Sequence, residues 1–104
     1  MSDRYATTSA LATLVAKKLQ YLLKETKVTQ VSLARFLGVD PPAMNRYVKG
    51  LRMIDFQSLF MISDLYLIPL EALLRYSYDK FVRYVTRELS EEDFEKVRWF
   101  LGDN

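Results

Sequence analysis

The sequence has neither cysteine nor histidine in its 104 residues. Those two absences exclude disulfides, thiol nucleophiles and nearly every zinc ligand set. They also remove the commonest general base. Glycine and proline are scarce, three of each, so the chain has few places to break regular structure. No apolar stretch approaches the roughly 20 residues needed to cross a bilayer. No run alternates apolar and polar residues long enough to predict a strand. The first residues, Met1 to Thr8, include Asp3 and Arg4 and lack the apolar segment of a secretory signal. The expectation is a cytoplasmic protein with no membrane segment.

What is present is a chain that is 50% apolar, enough to bury a core without a metal or a covalent staple. No linker, repeat or low-complexity tract divides it, which predicts one domain over residues 1–104. The net charge is only +2, but its distribution is uneven. Between Lys17 and Arg52 stand eight basic residues (Lys17, Lys18, Lys24, Lys27, Arg35, Arg46, Lys49, Arg52) against Glu25 and Asp40, a local charge of +6. From Tyr76 to Asn104 five basic residues face seven acidic ones, a local charge of −2. The first region suits a polyanion and the second does not.

Start, stop and spacing signals predict helices throughout. Thr8 or Ser9 is placed to cap a first helix reaching about Glu25, its apolar face drawn from Leu11, Leu14, Val15, Leu19, Leu22 and Leu23. Thr29 precedes a short helix from Gln30 to Leu37 that stops at Gly38. Asp40 caps a third, with Pro41 at its first position, where a missing N–H is harmless, and Gly50 at its end. Asp55 caps a fourth, for which Phe56, Leu59, Phe60 and Ile62 are core candidates. Pro69 opens a fifth from Leu70 towards Leu89, striped by Leu74, Tyr78, Phe81 and Val85. Ser90-Glu91-Glu92-Asp93 resembles a capping box that starts a last helix carrying Phe94, Val97, Phe100 and Leu101.

The second and third helices are joined by a tight turn, Gly38-Val39-Asp40. Leu33, Ala34 and Leu37 on one face Met44 and Tyr47 on the other, with Ala34 small where the helices approach. That arrangement lets one helix brace another in a major groove. Here the chain resembles the lambda-repressor-like, Cro/cI-type (XRE) helix-turn-helix family. The resemblance is carried by Val28-Thr29-Gln30-Val31-Ser32-Leu33-Ala34-Arg35-Phe36-Leu37-Gly38-Val39-Asp40, by Met44-Asn45-Arg46-Tyr47 and by Lys49-Gly50. It continues through Leu59, Ile62-Ser63 and Ile68-Pro69-Leu70-Glu71-Ala72-Leu73-Leu74, and spans about Leu11 to Leu74.

The resemblance implies an all-α, five-helix lambda-repressor-like helix-turn-helix domain, here with an additional C-terminal helix. The motif itself falls at about 29–50 and the C-terminal extension at about 76–104. It implies double-stranded DNA as partner, bound by a homodimer on a near-palindromic operator, and it implies transcriptional regulation, as a repressor. Carried over by position, base reading falls on Pro41, Pro42, Ala43, Asn45 and Arg46. Phosphate contact falls on Gln30, Lys49 and Arg52. The sequence departs from the pattern where Pro41 and Pro42 replace polar base-reading residues, where Val48 replaces a frequent Glu, and where Leu67 replaces a common Gly. Direct readout therefore shifts to Asn45 and Arg46, with apolar contact from Pro42 or Ala43 to thymine methyls.

Several groups have a plainer reading beside the functional one. Lys17, Lys18 and Lys24 read first as solvated residues and second as DNA contacts. Met44 and Tyr47 read as core. The aromatics from Tyr76 to Phe100 read as a second small core, as a dimer interface, or as some of each. Glu91, Glu92, Asp93 and Glu95 read as complements to a helix dipole rather than as a metal cluster. No cofactor motif, nucleophile–base pair or metal set can be assembled, so no enzyme, cofactor or metal is predicted. An antitoxin that represses its own operon is a variant of the regulator reading, and a regulatory protein partner is compatible with it. The rival is a protein-interaction adaptor that keeps the fold without DNA binding, for which Pro41-Pro42 and the exposed apolar candidates Leu51, Met53 and Ile54 speak.

Overall fold

The computed structural model describes residues 3–102, with side chains from Ala10 onward. The described residues form seven helices and no strand: α1 (Asp3–Thr26), α2 (Gln30–Leu37), α3 (Pro41–Lys49), α4 (Phe56–Tyr66), α5 (Leu70–Leu74), α6 (Tyr78–Glu88) and α7 (Glu91–Leu101). No described helix is long and apolar enough to cross a membrane.

One local code recurs at six helix starts. An apolar residue precedes the cap, and another follows the cap by four positions. The pairs are Val28 and Leu33, Val39 and Met44, Ile54 and Leu59, Ile68 and Leu73, Tyr76 and Phe81, Leu89 and Phe94. All twelve belong to the hydrophobic core or pack against it. This is the spacing of a hydrophobic staple, which sets the angle at which the chain enters each helix. Side-chain caps then satisfy free N–H groups. Thr29 accepts from the Ser32 N–H, Asp40 from Ala43 and Asp55 from Ser58, at 3.0, 2.8 and 2.8 Å. At α7 the capping box is complete: Ser90 Oγ accepts from the Asp93 N–H and Asp93 accepts from the Ser90 N–H.

α1 is the long central element, packing on α3, α5, α6 and α7, while α2 packs on α3 and α7. A single cluster of buried residues runs from Val15 on α1 through Leu33, Met44, Leu59, Leu73 and Phe81 to Leu101.

Several expectations are corrected. α1 begins at Asp3, so Thr8 and Ser9 lie within the helix rather than capping it. The expected fifth helix is two, broken at Arg75–Ser77. Ser77 adopts extended backbone and caps α6 by accepting from the Lys80 N–H. The expected stripe is correspondingly incomplete: Phe81 and Val85 are buried, Leu74 is half-buried and Tyr78 is exposed. Phe56 and Phe60 are exposed instead of core. α4 buries Ser58, Leu59, Ile62 and Tyr66, and the two Phe rings, one turn apart on another face, pack edge to face at 4.9 Å. Phe100 is likewise exposed, because α7 buries Val97 and Leu101. Of the apolar residues expected at the surface after α3, Leu51 is exposed, Met53 is half-buried and Ile54 is buried.

Lys18 is the largest correction. Its side chain is fully buried. Nζ donates to the carbonyls of Ala72 and Leu73, each at 2.9 Å, and lies 5.4 Å from the centre of the Phe81 ring. Those carbonyls belong to the last turn of α5, the negative end of a helix, where a cation is favoured. Lys18 thus ties α1 to α5 and α6 and is withdrawn from the surface charge. Lys17 and Lys24 are exposed.

Candidate nucleic-acid interface

α3 is held from three sides. Met44 and Tyr47 enter the same core as Leu33, Ala34 and Leu37 of α2. Gln20 of α1 donates from Nε2 to the Val48 carbonyl at 2.6 Å. The end of α3 lies directly against α1, since a Cβ built on Gly50 would meet the Ala16 Cβ and the Thr13 Cα at 3.3 Å. Gly50 also sits at φ +74°, a left-handed conformation suited to glycine.

The far end of the motif is fixed through Tyr47. Its hydroxyl donates to Asp55 Oδ2 at 3.3 Å, and the Ser58 hydroxyl donates to the same oxygen at 2.8 Å. Burial works to raise the Asp55 carboxyl, but hydrogen bonds from Ser58 and Tyr47 prevail and hold it below the usual carboxylate range. Burial, then the Asp55 charge, pushes the Tyr47 hydroxyl up. One tyrosine therefore serves as core of α3 and as donor to the cap of α4.

With its inner face occupied, α3 presents Pro42, Asn45, Arg46 and Lys49 along one side, at the i, i+3, i+4, i+7 spacing of a continuous helical face. Pro42, Arg46 and Lys49 are exposed; Asn45 is half-buried. Pro41 is exposed beside them, and Ala43 is half-buried on the flank. Arg52, in the following turn, is exposed, with its guanidinium 6.0 Å from the centre of the Tyr47 ring. Gln30 opens α2, half-buried, in a first turn that carries no acidic side chain. The fold thus brings Pro42, Asn45, Arg46 and Lys49 together, with Arg52 just beyond them; Gln30 stands apart, at the start of the bracing helix.

The ion pairs separate this face from the rest. Among the described residues they are Arg87–Glu88, Lys96–Glu92 and Arg98–Glu91, all in α6 and α7. Arg46, Lys49 and Arg52 are in none of them. A basic α3 end also complements its own helix dipole, which accounts for part of this pattern. No group of three or more metal-ligating side chains occurs among the described residues; Asp93 is engaged in its capping box, which lowers its carboxyl.

Gln20 and the Tyr47–Asp55 pair escaped the reading of the sequence. Gln20 sits on the polar side of α1 between lysines, where nothing local marks a glutamine as a brace. Asp55 was legible as a cap, but not as the acceptor that locks α3.

No family model, curated protein or solved structure matches the chain.

Proposed function

We propose that the protein is a lambda-repressor-like, XRE-type regulator that binds double-stranded DNA sequence-specifically. It inserts α3 in the major groove and acts as a dimer that represses transcription. The carrying observation is the braced α3 face of Pro42, Asn45, Arg46 and Lys49, whose cations have no carboxylate partner among the described residues. Asn45 and Arg46 are the base readers, with apolar contact from Pro42 or Ala43. Asn makes two hydrogen bonds to adenine and Arg two to guanine. Gln30, Lys49 and Arg52 hold the backbone. Lys18, being buried, takes no part. The role is one of binding rather than catalysis, and autorepression as an antitoxin is a variant of it.

Selection of bound duplexes from a random pool tests the reading. The expected outcome is an enriched two-fold symmetric site whose half-sites lie about one helical turn, 34 Å, apart. Recovery of unenriched DNA, with no salt-sensitive retention, would favour the adaptor reading, for which Pro41 and Pro42 at the start of α3 and exposed Leu51 after its end are the remaining support.

A further inference from the structure

Outside the α2–α3 region, the surface is most unusual where α7 meets the end of α4. A groove of about 380 Å³ opens there, walled by Leu65 of α4 and by Phe94 and Phe100 of α7, with Phe36 of α2 completing it. Phe100 and Phe36 meet edge to face at 5.7 Å. Leu67 borders the groove and Trp99 flanks it, in a second hollow that shares Lys96 and Phe100. Leu67, Trp99 and Phe100 are 80%, 74% and 68% exposed. Leu67 moreover sits at φ +55° as the left-handed C-cap of α4, a turn that is strained for leucine and does not account for a large apolar side chain there.

We propose that this face is the contact between two copies of the chain. Groove and protruding apolar side chains occupy the same patch, which is what a two-fold interface requires, since each element must meet its complement on an identical surface. With the axis running along the groove, the α4 wall of one copy lies against the α7 wall of the other. Of the charges lining the groove, Asp93 is engaged in its capping box with Ser90, and the other two fit that pairing. Asp64 on the α4 side is in no ion pair among the described residues, and Lys96 on the α7 side reaches only an exposed Glu92 at 3.8 Å. Across the axis Asp64 meets Lys96 of the second copy twice. Closing the patch over Trp99, Phe100 and Leu67 removes about 450 Å² of apolar surface per copy, over half of the about 800 Å² each partner buries in a stable dimer. An apolar patch of about 300–600 Å² is the size of the largest one on a typical monomer, and such patches are often functional.

The dimer supplies what the DNA-binding reading calls for, yet it rests on α7, outside the span that carries the family resemblance, and the two proposals fail separately. Trp99 is the only tryptophan, so its emission reports the contact directly. In sedimentation equilibrium and in a fluorescence dilution series, the full chain should associate to a dimer, with Trp99 emission shifting to the blue over the same concentrations. Trp99→Glu should raise the dissociation constant at least about 30-fold while leaving the circular dichroism unchanged. Lys96→Asp should weaken the dimer, and the double variant Asp64→Lys with Lys96→Asp should restore it, which guards against a variant that merely misfolds. A chain that stays monomeric at high micromolar concentration overturns the proposal. So does a dimer whose Trp99 emission stays that of exposed indole, or one indifferent to both Trp99→Glu and the charge exchange. Retention of the monomeric variant on duplex DNA at low salt reads the other proposal independently.

Discussion

Small differences of position give similar side chains on this molecule different surroundings. Arg46 and Lys49 are both basic, both exposed and one turn apart on α3. In the proposed complex Arg46 meets a base edge, whereas Lys49, at the helix end, meets the backbone. Arg46→Ala should cost roughly 1–3 kcal/mol on the preferred site and relax preference at one base pair. Lys49→Ala should weaken all sequences alike and reduce the salt slope by about one unit per half-site. Binding isotherms across a panel of single-base variants decide it; altered base preference in Lys49→Ala, with Arg46→Ala neutral, reverses the roles.

Lys18 is a third lysine-or-arginine fate, and it makes a pH prediction. Burial lowers its pKa from 10.5 to about 8. Between those values the unfolded chain holds the extra proton, so this group makes stability rise with pH, by at most about 1.4 kcal/mol per unit. Tyr66 acts in the opposite sense. Burial, only partly offset by its hydrogen bond with Thr26, raises it from 10.0 to about 12, so its contribution is full below pH 10 and is lost as the pH climbs through 12. Denaturant titrations should therefore show stability climbing from about pH 8 to 10 and then falling. Lys18→Met should abolish the climb and spare the fall; a climb that survives the substitution assigns it to another group.

At the scale of elements, the placement of α3 turns on Gly50 more than on the other turn glycine of the motif. Gly38 also has a left-handed φ of +70°, but a Cβ there would meet nothing within 4 Å. Gly38→Ala should cost about 1 kcal/mol, the backbone penalty alone. Gly50→Ala adds contact with Ala16 and Thr13 on α1, and overpacking of that kind brings the loss to at least about 2 kcal/mol. Thermal unfolding measures both. The variants should also differ on DNA, because only Gly50→Ala pushes α3 away from α1. Equal losses in stability would show that α1 yields at no cost.

Elements also show which signals in the sequence were strong. α2 and α3 were legible to the residue because cap, proline and glycine all lie within a few positions of each boundary. The break between α5 and α6 was legible too, in Tyr76-Ser77 followed by Phe81, the same staple-and-cap spacing as at Ile54-Asp55 and Leu59. The continuous apolar period from Leu74 to Val85 masked it. Phe56 and Phe60 misled for the opposite reason: two aromatics one turn apart describe an apolar face, but α4 has a second one in Leu59 and Ile62, and only its neighbours select between them.

For the whole molecule, charge is segregated. The basic region around α1–α3 retains exposed Lys17, Lys24, Arg46, Lys49 and Arg52, while the described ion pairs are confined to α6 and α7. A dimer touching about six phosphates should show a log–log salt slope near −5, each phosphate contributing roughly −0.9. Titrations of duplex binding between low and moderate salt give that slope; a value near zero would remove DNA from the proposal. α7 holds to the body by buried Val97 and Leu101 and by Arg98, which donates to the Thr26 carbonyl at 2.8 Å and to Glu91 at 3.0 Å. The extension is thus part of the core, through Phe81 and Phe94, as well as bearer of the exposed Trp99 and Phe100.

What the sequence alone determined is local: helical content, the caps at Thr29, Asp40, Asp55 and Ser90, the turn at Gly38 and the clustering of basic residues. Each depends on interactions within about five residues, which sequence order places side by side. Tertiary structure decided what depends on distant partners. Lys18 looks solvated among its neighbours on α1, and it is buried because two carbonyls more than fifty positions away supply the acceptors that let a cation leave water. Gln20 becomes a brace only because Val48 arrives beside it. Trp99 and Phe100 stay outside because Val97 and Leu101 reach the core first, and a helix can turn only one face to it.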